Sequence, residues 1–330
     1  MKIVITGAAG FIGSHLMSAC LRQGHRVLGI DNFLTGKMSN IEAVLGEDPD
    51  NASHFELLRE DIRHLDVMKS ACHGADLILH EAAIGSVPWS IEDPMLVHST
   101  NMTGFLNMLE AARANGIKRV VYASSSAVFG DSRDVPAVEG HEGACLSPYA
   151  SSKRAQEIYA QSYARCYGLE IIGLRYFNVF GARQDPNGAY AAVIPKWADA
   201  MFHGKPCTIY GDGSATRDYC HVENIVQANR MAAKVDLSHQ TEKAFAVNIG
   251  CGGQTSLLEL HSMMKSCFEE MFSSLKVSDP IFAPARRGDI EHSTADVSLA
   301  EKILGFVPDI SVQDGLQMLI GQEYFDIMRH

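Results

Sequence analysis

Short apolar runs alternate with longer amphipathic segments through the first half of the chain. The apolar runs are typical of β-strands and cover residues 2–6, 25–30, 54–58, 76–79, 119–123 and 170–174. Between some of these runs, apolar residues recur at helical spacing, near residues 11–23, 93–115 and 149–167. This alternation of strands and helices predicts an α/β protein with a doubly wound parallel sheet.

The pattern changes after residue 176. Residues 177–218 are richer in glycine, proline and asparagine, and they contain turn sequences at 184–188 and 211–213. We therefore expect a main domain formed by residues 1–176 and a smaller α/β lobe formed by residues 177–218 and 249–330. Residues 219–248 are expected to return a helix and a strand to the main sheet.

Three glycines, Gly7, Gly10 and Gly13, follow the first apolar run and precede a helical pattern. Glycine lets the backbone approach a pyrophosphate closely, and the N-terminus of the following helix attracts its charge. A glycine triplet alone also fits a tight turn, and this spacing is not the commoner GxGxxG. The second strand, however, ends at Asp31, about 20 residues further on, where a carboxylate can bind a ribose 2′-hydroxyl and repel a 2′-phosphate. The main domain is therefore predicted to be a Rossmann-type domain that binds NAD rather than NADP.

The composition narrows the class of protein. The chain has 330 residues, 46% hydrophobic content and a net charge of −11, which predicts a globular protein and argues against a nucleic-acid or anionic-membrane partner. Its eight cysteines include no CxxC pair, and its histidines form no HExxH motif, so we expect no metal site and no disulfide framework. No targeting segment or membrane span is expected either. These features predict a cytoplasmic protein with reduced thiols.

Candidate chemistry follows the fifth strand. Ser124, Ser125 and Ser126 end that strand, and Tyr149 and Lys153 lie four residues apart at the start of a helix, on one of its faces. A phenol has a pKa near ~10, so it acts as a base at neutral pH only where positive charge stabilises the phenolate. Lys153 and an oxidised nicotinamide would supply that charge, while Ser125 or Ser126 would hydrogen-bond the reacting oxygen. A YxxxK pattern also arises by chance on solvated helices, and only its position behind the serines and the glycine turn favours catalysis.

The order of these motifs resembles the extended short-chain dehydrogenases/reductases, and within them the nucleotide-sugar 4-epimerases. The resemblance covers essentially the whole chain. It is carried by residues 6–13, Asp31-Asn32, Asp61-Ile62, 80–83 (HEAA), the serine cluster, Tyr149 with Lys153, 175–179 (RYFNV), 211–213 (GDG), 216–219 (TRDY) and 286–289 (RRGD).

The resemblance implies how the chain binds its two ligands. Asp61 and Ile62 would flank the adenine, while Asn178, Arg217 and Arg286 would contact the nucleotide diphosphate and Asp289 the uridine ribose. With the residues already discussed, the expected cofactor residues are Gly7, Gly10, Phe11, Ile12, Gly13, Asp31, Asn32, Asp61, Ile62, Ala82, Ala83, Tyr149 and Lys153. The expected substrate residues are Ser86, Ser125, Tyr149, Asn178, Val193, Tyr210, Arg217, Arg286, Asp289 and Ser293.

The substrate is expected to be a UDP-N-acetylhexosamine. The chain lacks the Asp-Glu pair with which dehydratase relatives eliminate water, and residues 175–197 resemble epimerases of UDP-N-acetylhexosamines more than uronate decarboxylases. Epimerases confined to glucose and galactose resemble one another in having a tyrosine four residues after the position of Asp289, where this chain has Ser293. A small residue there leaves room for an N-acetyl group.

Three alternatives remain at this point. The preferred sugar could be UDP-glucose or a UDP-uronic acid, and a non-catalytic NAD(H)-binding regulator could use the same fold. The intact Ser, Tyr and Lys set argues against the regulator. The resemblance also implies a homodimer held by a four-helix bundle, formed by the helices near residues 93–115 and 149–167 of each copy.

Overall fold

A computed structural model describes residues 1–187, 191–285 and 291–324. Its strands are β1 (Lys2–Thr6), β2 (Arg26–Ile30), β3 (Phe55–Leu58), β4 (Leu77–His80), β5 (Arg119–Ser125), β6 (Glu170–Tyr176), β7 (Val179–Phe180), β8 (Thr208–Tyr210), β9 (Thr216–Arg217), β10 (Cys220–His221), β11 (Ala244–Ile249), β12 (Thr255–Ser256), β13 (Ile281–Ala283) and β14 (His292–Ser293).

The α-helices surround these strands. They are α1 (Phe11–Arg22), α2 (Met38–Glu47), α3 (Asn51–His54), α4 (Leu65–Ala71), α5 (Val87–Glu92), α6 (Pro94–His98), α7 (Gly104–Ala114), α8 (Pro148–Tyr167), α9 (Val193–Phe202), α10 (Val222–Lys234), α11 (Leu257–Met271), α12 (Ser298–Leu304) and α13 (Val312–Tyr324). A π-helical turn (Ser99–Thr103) joins α6 to α7, and a 3-10 turn (Ser126–Phe129) follows β5. No helix of the described ranges is both long and apolar enough to cross a bilayer.

Seven parallel strands form the central sheet, in the order β11-β6-β5-β4-β1-β2-β3. The predicted α/β class and doubly wound parallel sheet are confirmed. The predicted strands fall within about two residues of the observed ones, and residues 219–248 supply α10 and the edge strand β11. The sheet order reverses next to β1, and at such a switch point the carboxyl ends of the strands leave a crevice for a ligand.

Apolar side chains cover both faces of this sheet. One buried cluster packs α1 and α10 on one face and includes Ile3, Leu16 and Ile225. The other packs α4, α7 and α8 on the opposite face and includes Val4, Met108 and Ala160. Burial on both faces explains why the strands have nearly continuous apolar sequences rather than alternating ones.

The helix expected over residues 93–115 is interrupted. Its N-terminus is as predicted, since the Asp93 carboxylate accepts the Leu96 N–H at 3.0 Å and Pro94 is the first helical residue. The chain then passes through the π-helical turn, where the Asn101 side chain accepts the Ile84 N–H at 2.8 Å. The wider turn places Asn101 against the loop that follows β4, a tertiary contact that hydrophobic spacing does not report.

A third apolar cluster lies outside the sheet. It packs α9, α11 and α13 together and includes Trp197, Phe268 and Leu316. Short strand pairs accompany it: β8 with β13, and β9 with β12 and β14. Strands β7 and β10 link this part of the molecule to the carboxyl edge of the main sheet. β7 follows directly after β6 along the chain, and β10 pairs with β7.

Candidate active site

Two cavities lie at the carboxyl edge of the sheet and share Val179 in their walls. The first is a groove of about 420 Å³ that runs from the glycine turn to the start of α8. The second measures about 490 Å³ and lies between α9, β8 and β9. The arrangement suits two neighbouring ligands, one in each cavity.

The glycine turn forms one end of the groove. Gly7 has a φ of +71°, in the region that glycine tolerates, and a Cβ on Gly13 would overlap the Gly7 carbonyl. Helix α1 begins at Phe11 with no side-chain cap on its N-terminus. Its first N–H groups therefore remain available to an anion, as the sequence predicted for a pyrophosphate.

Asp31 lies beside this turn in a fixed position. Its carboxylate accepts the Ala9 N–H at 2.9 Å and the Phe33 N–H at 2.8 Å. Burial raises the pKa of Asp31, while these two backbone hydrogen bonds act in the opposite direction. The carboxylate lines the groove, and each oxygen keeps a lone pair for a ligand hydroxyl.

Asn32 and Asp61 meet at the same end of the groove. The Asn32 side chain donates to Asp61 at 2.8 Å, and Arg63 pairs with that carboxylate at 2.8 Å. Hydrogen bonding from Arg63 holds the pKa of Asp61 well below its usual range. Asn32 and Ile62 line the groove together with Ala82 and Ala83, which follow β4, whereas Asp61 stands behind Asn32.

The candidate catalytic residues lie at the other end. Ser147 caps α8 by accepting the Ala150 N–H at 3.1 Å, which starts the helix with Tyr149 in its first turn. Tyr149, Lys153 and Ser125 all line the groove, and the Lys153 ammonium donates to the Ala123 carbonyl at 2.7 Å. Ser126 does not reach the groove wall, so Ser125 is the better-placed hydroxyl.

The pKa of Tyr149 in the protein alone lies above the ordinary value of a phenol. Burial raises it above the usual value, and a hydrogen bond from Ser125 opposes the shift. The predicted lowering of this pKa depends on the charge of an oxidised nicotinamide together with that of Lys153. Burial also lowers the pKa of Lys153 to about 8, and the charges of Glu81 and Glu157 oppose that shift. The fixed charge of an oxidised nicotinamide in the groove would act on Tyr149 in the lowering direction.

A buried ion-pair network supports this end of the groove, and sequence reasoning missed it. Glu157 accepts from Ser124 at 2.7 Å and from Arg175 at 2.8 Å, and Arg175 also pairs with Glu142 at 2.6 Å. Both Glu157 and Arg175 are 2% exposed. Glu157 lies four residues after Lys153, on the same helix face, and that spacing was the available signal. The network fixes α8 against the ends of β5 and β6.

Four predicted substrate residues meet in the second cavity: Asn178, Val193, Tyr210 and Arg217. Asn178 has a φ of +30°, and its side chain donates to the Asp218 carbonyl at 3.0 Å. Helix α9 begins at Val193 without a side-chain cap. Its N-terminus and the Arg217 guanidinium therefore give this cavity a positive end that suits phosphate oxygens.

Ser86 and Ser293 lie next to residues that line the two cavities. Ser86 caps α5 by accepting the Trp89 N–H at 3.1 Å, next to the groove residue Gly85. Ser293 is half-buried in β14 and pairs in register with Arg217 of the cavity wall. Arg286 and Asp289, which were predicted to contact the nucleotide, lie outside the residues that the structure describes.

The described residues contain no cluster of His, Cys, Asp and Glu that could hold a metal ion. All eight cysteines are free thiols, and Cys220, beside His221, is fully buried. Burial raises the pKa of Cys20 to about 12 and that of Cys207 to about 11. High thiol pKa values are typical of packed cysteines rather than nucleophiles.

Comparison with known proteins identifies the family of this chain. Residues 3–250 match the NAD dependent epimerase/dehydratase family. The chain belongs to this family. The UDP-glucose 4-epimerase of Mycolicibacterium smegmatis is 33% identical to it over 327 residues, which cover 98% of each protein.

Two solved structures are similar along the whole chain. One is the UDP-N-acetylglucosamine 4-epimerase from Methanobrevibacter ruminantium M1, in complex with UDP-N-acetylmuramic acid. Its TM-score is 0.88 and its sequence is 34% identical, and the match covers 100% of this chain and 99% of that protein chain. The other is the UDP-glucuronic acid 4-epimerase from Bacillus cereus, in complex with UDP-glucuronic acid and NAD. Its TM-score is 0.83 and its sequence is 30% identical, and the match covers 99% of this chain and 100% of that protein chain. The chain is thus a nucleotide-sugar 4-epimerase of this family, an isomerase with NAD as its cofactor.

Proposed function

We propose that this epimerase interconverts UDP-N-acetylglucosamine and UDP-N-acetylgalactosamine by inverting C4. The observation that carries the sugar assignment is Ser293, a small residue in register with Arg217 at the wall of the second cavity. A similar solved epimerase whose name specifies UDP-N-acetylglucosamine supports the same choice. Relatives named for UDP-glucose and UDP-glucuronic acid make those sugars the competing candidates.

In this proposal the groove holds NAD. The glycine turn, with Phe11 and Ile12, would bind the pyrophosphate, and the fixed carboxylate of Asp31 would accept the ribose hydroxyls. Asn32, Asp61 and Ile62 would surround the adenine, and Ala82 and Ala83 would lie along the cofactor. Bound NAD would supply the hydride acceptor for oxidation at C4 and, in its reduced form, the hydride donor for reduction on the opposite face.

Tyr149 would take the proton from the C4 hydroxyl and later give it back. Lys153 would stabilise the phenolate through its charge, and the Ser125 hydroxyl would hold the reacting oxygen, with Ser126 behind it. The groove excludes water from this proton transfer, since Tyr149 is 9% and Lys153 is 2% exposed. No proton is gained or lost over the whole reaction, so one positioned phenol suffices.

The second cavity would hold the UDP group while the 4-keto hexose turns. The proposed diphosphate contacts are Asn178, Arg217, Arg286 and the α9 N-terminus at Val193, and the proposed uridine contacts are Tyr210 and Asp289. Ser86 would hydrogen-bond the hexose, and Ser293 would leave room for its N-acetyl group. Fixing the nucleotide keeps C4 near Tyr149 in both orientations of the sugar.

Separate incubation with each UDP-sugar tests the assignment. We expect the purified protein to convert UDP-N-acetylglucosamine and UDP-N-acetylgalactosamine into each other, with C4 epimers resolved by chromatography. If kcat/KM is higher for UDP-glucose or UDP-glucuronic acid than for the N-acetylhexosamines, that sugar is the preferred substrate and the proposed assignment is wrong. An absence of turnover with every UDP-sugar would favour a non-catalytic NAD(H)-binding regulator.

The cofactor should remain bound through purification. We expect denatured protein to release about one NAD(H) per chain, because the groove surrounds the cofactor and the reaction returns it unchanged. Activity should need no added cofactor and should survive chelators. Release of NADP in place of NAD would contradict the role of Asp31.

We further propose a homodimer through α6, α7 and α8. Met95 is 74% exposed, Leu146 is 65% exposed and Ile158 is 54% exposed, all beside or on these helices. An exposed apolar face of this kind is typical of a subunit interface. Sedimentation at micromolar concentration should show a dimer, and Ile158→Glu should dissociate it, whereas Ile281→Glu, at an exposed isoleucine in β13, should not. A monomeric wild-type protein would contradict the proposal.

A further inference from the structure

Glu81 lies in the cofactor groove and has no role in the mechanism proposed above. It directly follows β4, and its N–H donates to the Thr6 carbonyl at the end of β1, at 3.2 Å. Its carboxylate lines the same groove as Tyr149 and Lys153. A partly buried carboxylate in the same groove as Tyr149 and Lys153 calls for a physical explanation.

A chain of hydrogen bonds holds the Glu81 carboxylate in place. The Tyr176 hydroxyl donates to it at 2.9 Å, and the Asn229 side chain donates to the Tyr176 oxygen at 2.9 Å. Asn229 is anchored by a second bond, to the Ile225 carbonyl at 3.0 Å within α10. Asn229 is 1% exposed and Tyr176 is 8% exposed, so the chain is shielded from solvent.

Lys153 lies near this carboxylate in the groove. His80, which precedes Glu81, pairs in register with Tyr122 of β5. The next residue of β5, Ala123, accepts a hydrogen bond from the Lys153 ammonium at 2.7 Å. Burial disfavours the charge of Lys153, and the two carboxylates that oppose this effect are Glu81 and Glu157. Glu157 already accepts hydrogen bonds from Ser124, Arg154 and Arg175. Two guanidinium groups therefore compensate much of its charge, which leaves Glu81 as the carboxylate whose charge acts mainly on Lys153.

The other groups around Glu81 add no competing charge. His80, at the end of β4, has its pKa lowered to about 3 by burial and by the Lys153 charge, so it is neutral at physiological pH. Thr6 on β1, Tyr176 on β6 and Asn229 on α10 are neutral. Burial raises the pKa of Glu81 itself to about 7, while the Tyr176 hydrogen bond and the Lys153 charge lower it.

We propose that Glu81 is a positioning residue that keeps the buried Lys153 ammonium protonated, acting through the Tyr176–Asn229 hydrogen bonds that fix its carboxylate. The inference rests on the proposed function in one respect, namely the role of Lys153 in stabilising the Tyr149 phenolate. The charge relation between Glu81 and Lys153 can be measured without turnover.

The test is Glu81→Gln in the holoenzyme. Glutamine keeps an oxygen that accepts from Tyr176 and removes only the charge, so the fold and the hydrogen-bond chain should persist. With lysines labelled at ¹³Cε, the Lys153 signal can be assigned by its loss in Lys153→Arg and followed against pH. We expect the titration midpoint of Lys153 to fall by about half a pH unit or more in Glu81→Gln.

Two further variants control this measurement. Glu139→Gln removes another half-buried carboxylate, one that lies outside the groove and accepts the Asn248 N–H at 2.7 Å, and it should leave the Lys153 midpoint unchanged. Tyr176→Phe removes the hydrogen bond that lowers the Glu81 pKa, and it should lower the Lys153 midpoint by a smaller amount. If the midpoint moves in neither Glu81→Gln nor Tyr176→Phe, or moves equally in Glu139→Gln, the proposal is overturned.

The pH profile of kcat tests whether the charge of Glu81 affects catalysis through Lys153. We expect the alkaline limb of the profile to move to lower pH in Glu81→Gln, because Lys153 loses its charge earlier. If the Lys153 midpoint shifts in Glu81→Gln but the kcat profile does not, the proposed pairing of Glu81 with Lys153 stands and the catalytic role of Lys153 is contradicted. An unshifted midpoint would contradict the pairing and leave the catalytic role standing.

Discussion

Replacing Tyr149 by phenylalanine should lower turnover by on the order of 10²-fold or more while NAD stays bound. In the proposed mechanism this phenol takes the C4 proton, and removal of a general base costs a factor of this size. Phenylalanine keeps the ring, so the packing around the 9% exposed side chain should change little. The measurements are kcat for the preferred UDP-sugar and the NAD(H) content of the purified variant.

Tyr163→Phe is a matched control for this variant. Tyr163 lies on the same helix, outside the groove, and its hydroxyl donates to Glu110 at 2.8 Å. We expect Tyr163→Phe to keep nearly full turnover. Near-full activity in Tyr149→Phe would mean that another group is the base. Both turnover and NAD content are measured, because a variant that loses NAD would lose turnover for a reason other than proton transfer.

Replacing Ser293 by tyrosine should shift the sugar preference away from N-acetylhexosamines. A tyrosine in register with Arg217 would fill space that the proposed N-acetyl group needs, and overpacking of this kind costs about 1–3 kcal/mol. The kcat/KM ratio of UDP-N-acetylglucosamine to UDP-glucose should therefore fall by about 5- to 150-fold. A ratio taken within one variant cancels any general loss of stability.

Ser293→Ala is the corresponding control, because it keeps the position small. We expect this variant to retain the preference for the N-acetylhexosamine. If the ratio is unchanged in Ser293→Tyr, Ser293 does not line the sugar pocket. The N-acetylhexosamine assignment would then depend on the overall likeness of residues 175–197 to such epimerases.

The main architecture and the position of the glycine turn could be predicted from the sequence. The strands are continuous apolar runs because both faces of the sheet are covered, and glycines at 7, 10 and 13 are needed where the backbone turns tightly against α1. These are local requirements, since each depends on the residues of one segment and its immediate burial. The same holds for the caps at Asp93 and Ser147, which start α6 and α8 where expected.

Which side chains share an environment could not be predicted from the sequence, because it depends on how distant segments pack together. Glu81, Tyr176 and Asn229 come from segments far apart in the chain. They meet because β4 and β6 end at one edge of the sheet and α10 packs against β5 and β6. The π-helical turn at 99–103 and the pairing of Arg175 with Glu157 and Glu142 arise in the same way. The pKa of Tyr149 shows the physical reason most directly: spacing placed Lys153 beside it, but burial, which depends on the whole fold, raises its pKa. Sequence spacing fixes neighbours along one helix, whereas desolvation and long-range charge depend on how all the elements pack.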